Sequence, residues 1–153
     1  TSRAYDDAFA AAPHLQLFTA EAPRFVEFVE AGQTSGDDVL RVARQYLKPL
    51  IEAEVDTLVL GCTHYPFLRG AISYVMGDGV RLVSSDNETA KDVYRELVSR
   101  GLDRIEPTPP TYRYEATGAD STEFMRLARL FLGPQVETVD FTPTGVITLP
   151  TLD

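Results

Sequence analysis

The segment Asp56-Thr57-Leu58-Val59-Leu60-Gly61 constrains the fold most. A short unbroken apolar run, without polar alternation, suits a parallel strand covered on both faces. Parallel strands need crossover connections, most often helices, and the flanking sequence supplies them. Upstream, Val39, Leu40, Ala43, Tyr46, Leu47, Leu50 and Ile51 recur at three- and four-residue intervals. They predict a helix ending near Ala53, with Ser35 and Asp38 spaced as a capping box at its start. Before it, Pro23 opens a helix through Phe25, Val26, Phe28 and Val29, and Gly32 stops it. Downstream, Pro66 restarts a helix that runs to about Val75, and residues 80–83 are strand-like. Ser85 and Glu88 form a capping box for a helix reaching Arg100, with Gly101 as its stop.

The remaining segments extend the alternation. Residues 4–12 read as a short helix ended by Pro13, and 14–19 as a strand. Residues 102–110 carry three prolines and read as a loop. Residues 112–116 alternate as a strand does. Asp120 and Glu123 bracket the start of a helix ending near Leu132, and 136–141 is a last strand. Strands alternating with helices of this length predict an α/β fold, a Rossmann-like parallel sheet with flanking helices.

The totals exclude several classes of function. Hydrophobic residues make up 44% and charged residues 24%, the balance of an ordinary folded protein. The formal charge is −9, from 14 basic and 23 acidic residues, with no Lys/Arg cluster. That argues against nucleic acid or an anionic membrane as partner and leaves a small anionic substrate open. No apolar run has membrane-spanning length. The one cysteine forbids an internal disulfide and fits a reducing compartment such as the cytoplasm. The sequence starts without Met inside a helical pattern that has no signal-peptide centre, which reads as a piece of a longer chain.

Only one strand-to-helix turn is rich in chemistry: Gly61-Cys62-Thr63-His64-Tyr65-Pro66. In open α/β sheets, ligands bind beyond the carboxyl ends of the strands. Gly61 permits close approach, and Cys62 follows the strand directly. A helix start at Pro66 would favour a thiolate and leave backbone N–H groups near Thr63 and His64 for a carboxylate. His64 is within reach for proton exchange. Spacing alone leaves other readings open. Cys62 could be an inert core residue, or Cys62 and His64 could be half of a metal site needing carboxylates to complete it.

From Val55 to Pro66 the sequence closely resembles the second catalytic-cysteine motif of glutamate racemases. Further stretches resemble the same family in the same order. They are Ser2-Arg3-Ala4-Tyr5, Pro23-Arg24-Phe25-Val26 with Val29-Glu30-Ala31-Gly32, Leu82-Val83-Ser84-Ser85 with Glu88-Thr89-Ala90, and Glu115-Ala116-Thr117-Gly118. The family's first-lobe segments are missing: an Asp-Ser pair, Pro-Tyr-Gly, and Ala-Cys-Asn-Thr with the first catalytic cysteine. At Ala22 the family often has a cysteine, and the residues after Phe141 resemble nothing in it.

The resemblance implies a cofactor-independent racemase of glutamate, using neither metal nor pyridoxal phosphate, that supplies D-glutamate for peptidoglycan in the cytoplasm. One thiolate removes the α-proton and a second thiol returns a proton to the opposite face. Cys62 carries over as one of the two. Thr63 and His64 carry over as substrate contacts, His64 also assisting proton transfer, and Glu30 as a carboxylate that tunes the site. By the family pattern, residues 1–83 belong to the second, cysteine-bearing lobe, 84–141 return into the first lobe, and 142–153 are a tail. A homodimer is the assembly that the family suggests.

Each assignment has a plainer counterpart: Glu30 as a solvated surface acid, His64 as a cap, Thr63 as a turn former. Two rival functions stand beside the leading one. An aspartate racemase of the same superfamily usually carries an acid where His64 stands. A non-catalytic metabolite-binding relic would keep the turn without the chemistry.

Overall fold

The structure, a computed structural model, describes residues 4–117 and 121–142. They form α1 (Ala4–Phe9), α2 (Arg24–Glu30), α3 (Asp37–Glu52), β1 (Thr57–Leu60), a 3₁₀ turn (Tyr65–Leu68), α4 (Arg69–Met76), β2 (Arg81–Ser84), α5 (Ser85–Ser99), β3 (Glu115–Thr117), α6 (Ser121–Leu132) and β4 (Asp140–Thr142). They divide into two compact units, one up to Asp92 and one from Val93, with the boundary inside α5. The class is α/β with parallel strands and flanking helices, as the alternating pattern predicts.

In the first unit β1 and β2 pair in parallel, Thr57 opposite Arg81 through Leu60 opposite Ser84. The 3₁₀ turn and α4 make the crossover. Helix α3 packs on α4 and on α2, and the core they share holds Phe25, Val29, Val39, Val42, Leu47, Leu50, Leu68 and Ile72, all nearly inaccessible to water. Burying such side chains is worth about 1.5–3 kcal/mol each, which makes this apolar layer the main support of the turn after β1.

Several local expectations are corrected. Residues 14–19 form no strand: Leu15, Leu17 and Phe18 are exposed and pair with no ladder among the described residues. A period-2 pattern needs a neighbour before it becomes a strand. The capping box at Ser35 does not form. Gly36, at φ 107°, occupies the N-cap without a side-chain cap bond, and Asp38 instead pairs with Arg41 at 2.8 Å. Strand β1 is parallel as expected but not covered on both faces, because only Leu60 is buried and Val59 is 43% exposed.

Helix ends follow one design. Gly32, at φ 72°, ends α2 while its N–H bonds the Val29 carbonyl and the Gln33 N–H bonds that of Phe28. This is the left-handed terminator that glycine fits best. Helix α3 ends with the same two bonds, Glu54 to Ile51 and Val55 to Leu50, but the left-handed residue there is Glu54, at φ 52°.

In the second unit β3 and β4 pair in parallel, Glu115 opposite Asp140 through Thr117 opposite Thr142, and α6 packs on β3. Arg129 on α6 donates to the carbonyls of Val136 and Glu137 at 2.9 and 3.0 Å, tying down the loop before β4. Thr142 closes β4. Residues 143–153 and the helix-start signal at Asp120 lie outside the described residues. No described helix is long and apolar enough to cross a membrane.

Candidate active site at the end of strand β1

Leu60 is the last residue paired in the ladder, and the chain then turns sharply. The Tyr65 N–H bonds the Cys62 carbonyl at 3.2 Å, and the Phe67 N–H bonds that of His64 at 3.1 Å. Pro66 lies in the 3₁₀ turn rather than opening an α-helix; α4 starts only at Arg69. The helix dipole expected beside Cys62 is therefore that of a single short turn.

The structure brings all four sequence-nominated residues together. Cys62 is half-buried. Its Sγ lies 3.9 Å from His64 Nδ1, and Thr63 Oγ1 lies 3.4 Å from the same nitrogen. On the other side of the ring, His64 Nε2 is 2.7 Å from Glu30 Oε1. An ionised carboxylate can only accept, so Nε2 carries a proton and donates it to Glu30. That leaves Nδ1 facing sulfur. In the neutral ring Nδ1 accepts from the thiol or from Thr63; in the charged ring it donates to a thiolate. The arrangement can move a proton on or off Cys62. The Glu30 and His64 side chains are 57% and 29% exposed, so their pairing adds little to stability. Its effect is to orient the ring.

Glu30 is 34 residues from His64 in sequence, so their meeting needs a tertiary device. Phe25, on α2, stands edge-on to Tyr65 with ring centroids 5.5 Å apart, and edge-on to Tyr46 of α3 at 5.6 Å. The Tyr65 hydroxyl donates to the Ala22 carbonyl at 3.2 Å. These contacts lock α2 to the turn and set Glu30 opposite His64. Burial, with Cys62 nearby adding to it, pushes the Tyr65 phenol above its ordinary value.

Sequence reasoning gave Tyr65 and Phe25 no part in the site. Their signal was weak, two aromatics among fifteen, and only contact distances single them out. Among the described residues no group of three or more His, Cys, Asp or Glu side chains is placed to hold a metal ion.

No protein-family model matches the chain. It is 70% identical over 148 residues to the glutamate racemase of Leifsonia xyli subsp. xyli, covering 97% of this chain and 54% of that one. Its fold is similar to that of the glutamate racemase of Thermus thermophilus, solved in complex with beta-chloro-D-alanine. The TM-score is 0.74 at 36% identity, covering 94% of this chain and 54% of the other. It is also similar to the glutamate racemase of Francisella tularensis subsp. tularensis, solved with D-glutamate, with TM-score 0.77 at 25% identity over 90% of this chain and 51% of the other. The chain thus spans about half the length of the relatives it matches.

Proposed function

We propose that this chain, which belongs to the glutamate racemase family and corresponds to about half of such a protein, supplies one of two proton-transfer stations for interconverting L- and D-glutamate. The observation that carries this reading is the line Cys62, His64, Glu30, with contacts of 3.9 and 2.7 Å, at the carboxyl end of a parallel strand.

Cys62, as thiolate, takes the α-proton from one face of the substrate. The C–H bond breaks as an S–H bond forms, and the electron pair stays on the α-carbon, delocalised into the adjacent carboxyl group. A second thiol protonates the opposite face, which leaves one thiol and one thiolate with their roles exchanged. A single base tends to return the proton where it came from, so two are needed. His64 relays protons at Sγ, with its ring held by Glu30, and Thr63 contacts the substrate. The reading involves no metal and no pyridoxal phosphate.

The finer assignments follow the same reading. Residues 1–83 form part of the cysteine-bearing lobe and 84–141 return to the other. The product feeds peptidoglycan in the cytoplasm, and the whole enzyme works as a homodimer.

The test uses the full-length polypeptide containing this sequence, incubated with each glutamate enantiomer in D₂O. Cys62→Ser is expected to slow interconversion by about 10²–10⁴-fold or more, and an undiminished rate would overturn the reading. Aspartate in the same assay separates the rival specificity. The 153-residue chain has a single cysteine and spans about half the length of the relatives it matches; by itself it is expected neither to racemise glutamate nor to exchange its α-hydrogen efficiently.

A further inference from the structure

Two adjacent residues of the turn after β1 hold opposite ends of helix α2. At its start, the Tyr65 hydroxyl donates to the carbonyl of the buried Ala22 at 3.2 Å, and the Tyr65 ring meets Phe25 edge-on at 5.5 Å. At its last residue, Glu30 accepts from His64 Nε2 at 2.7 Å. From Phe25 to Glu30 the helix rises about 7.5 Å, so a tilt at the first contact is carried to the second. The two ends are unequal. Phe25 is 1% exposed, whereas Glu30 and His64 reach into solvent, where an ion pair alone holds neither side chain firmly. An edge-on ring contact leaves room to slide; a hydrogen bond to a fixed carbonyl removes it. The Tyr65 N–H also bonds the Cys62 carbonyl at 3.2 Å, so the residue that grips α2 is fastened to the peptide that carries the sulfur.

We propose that Tyr65 is a positioning residue: its hydroxyl fixes where α2 lies on the turn and so keeps Glu30 in reach of His64, whose Nδ1 lies 3.9 Å from Sγ. Tyr65 acts on Cys62 through those two side chains. The consequence for racemisation rests on the racemase reading; the effect on the thiol does not.

The experiment uses the 153-residue chain and reads the rate of Cys62 alkylation by iodoacetamide across pH, a signal that the single cysteine makes unambiguous. Glu30→Gln is expected to slow alkylation at neutral pH about tenfold and Tyr65→Phe about threefold. The double variant should be no slower than Glu30→Gln alone, the non-additivity of two groups that act through one contact. In a His64→Gln background, Tyr65→Phe should have no effect. Val42→Ala, a core truncation in α3, should lower the melting temperature and leave the alkylation profile as in the parent. In the full-length polypeptide, Tyr65→Phe should lower kcat about tenfold with KM little changed.

A parental profile in Tyr65→Phe would overturn the proposal. So would an effect that persists after His64→Gln or adds fully to Glu30→Gln, or an equal change in Val42→Ala, which would make Tyr65 a general structural residue. If the alkylation pattern holds while the full-length Cys62→Ser variant still racemises glutamate at the parental rate, the racemase reading falls and the positioning role stands.

Discussion

Helix α3, in the unit that ends at Asp92, turns Val39, Val42, Ala43, Leu47 and Leu50 away from water. Residues 93–99 of α5, in the unit that begins at Val93, leave Val93, Tyr94, Leu97 and Val98 exposed. Both segments carry apolar residues at helical spacing. In the first unit that spacing meets other helices and becomes a core; in the second the described residues bury only Ala116, Ala128 and Val136. The candidate site stands on the well-packed unit, where a small displacement of a supporting helix is resisted by many contacts.

Four measurements bear on this contrast. The largest effect is expected from Phe25→Ala, since Phe25 is 1% exposed and touches Tyr46 and Tyr65. Denaturant unfolding should show a loss of about 3–5 kcal/mol; a loss below about 1 kcal/mol would mean that the first unit is no better packed than the second.

Tyr65→Phe removes the hydrogen bond to the Ala22 carbonyl and should cost about 1 kcal/mol. It should also change the alkaline limb of the stability curve. Because the folded phenol is raised, the unfolded chain loses that proton first. The group's contribution is therefore full below about pH 10 and is lost as pH rises through the folded value. Thermal melts from neutral to strongly alkaline pH should show a shallower decline in the variant.

Glu54→Gly relieves a left-handed glutamate at a helix end where α2 uses Gly32 and α5 uses Gly101. A gain of about 0.5–1 kcal/mol in unfolding free energy is expected, and a loss would show that Glu54 makes a compensating contact. The smallest effect is expected from Leu97→Lys, at a 39% exposed position. A change within about 0.5 kcal/mol fits a surface site, whereas a loss near that of Phe25→Ala would reveal burial there and erase the difference between the units.

What the sequence makes legible is local. The strand-helix alternation, the helix stop at Gly32 and the strands near 57–60 and 81–84 all follow from periodicity and terminators acting within a few residues; that those two strands pair with each other is visible only in the fold. Residues 14–19 show the limit, because alternation there predicts a strand and only a neighbouring ladder could make one. Ser35 shows another, since Gly36 and Ser35 compete to begin the same helix and spacing cannot rank them. At the site, Cys62, Thr63 and His64 are contiguous and readable as chemistry. Glu30 entered through family resemblance, because nothing in the spacing joins it to a histidine 34 residues on. Gly61 advertised a close approach without saying what approaches; the hydroxyl end of Tyr5, which a Cβ there would meet at 2.8 Å, is more than fifty positions away.

Glu30 is the final residue of α2, the pole of the helix that carries partial negative charge, and no basic residue shares that last turn. An acid there is opposed by the helix itself, by about 0.3–1 kcal/mol. Selection for thermal robustness alone would favour lysine at this position. An acid at the wrong pole of its helix is better understood as a partner for the imidazole than as part of the scaffold, and engineering that simply optimises helix charge would strip His64 of that contact while making the protein harder to melt.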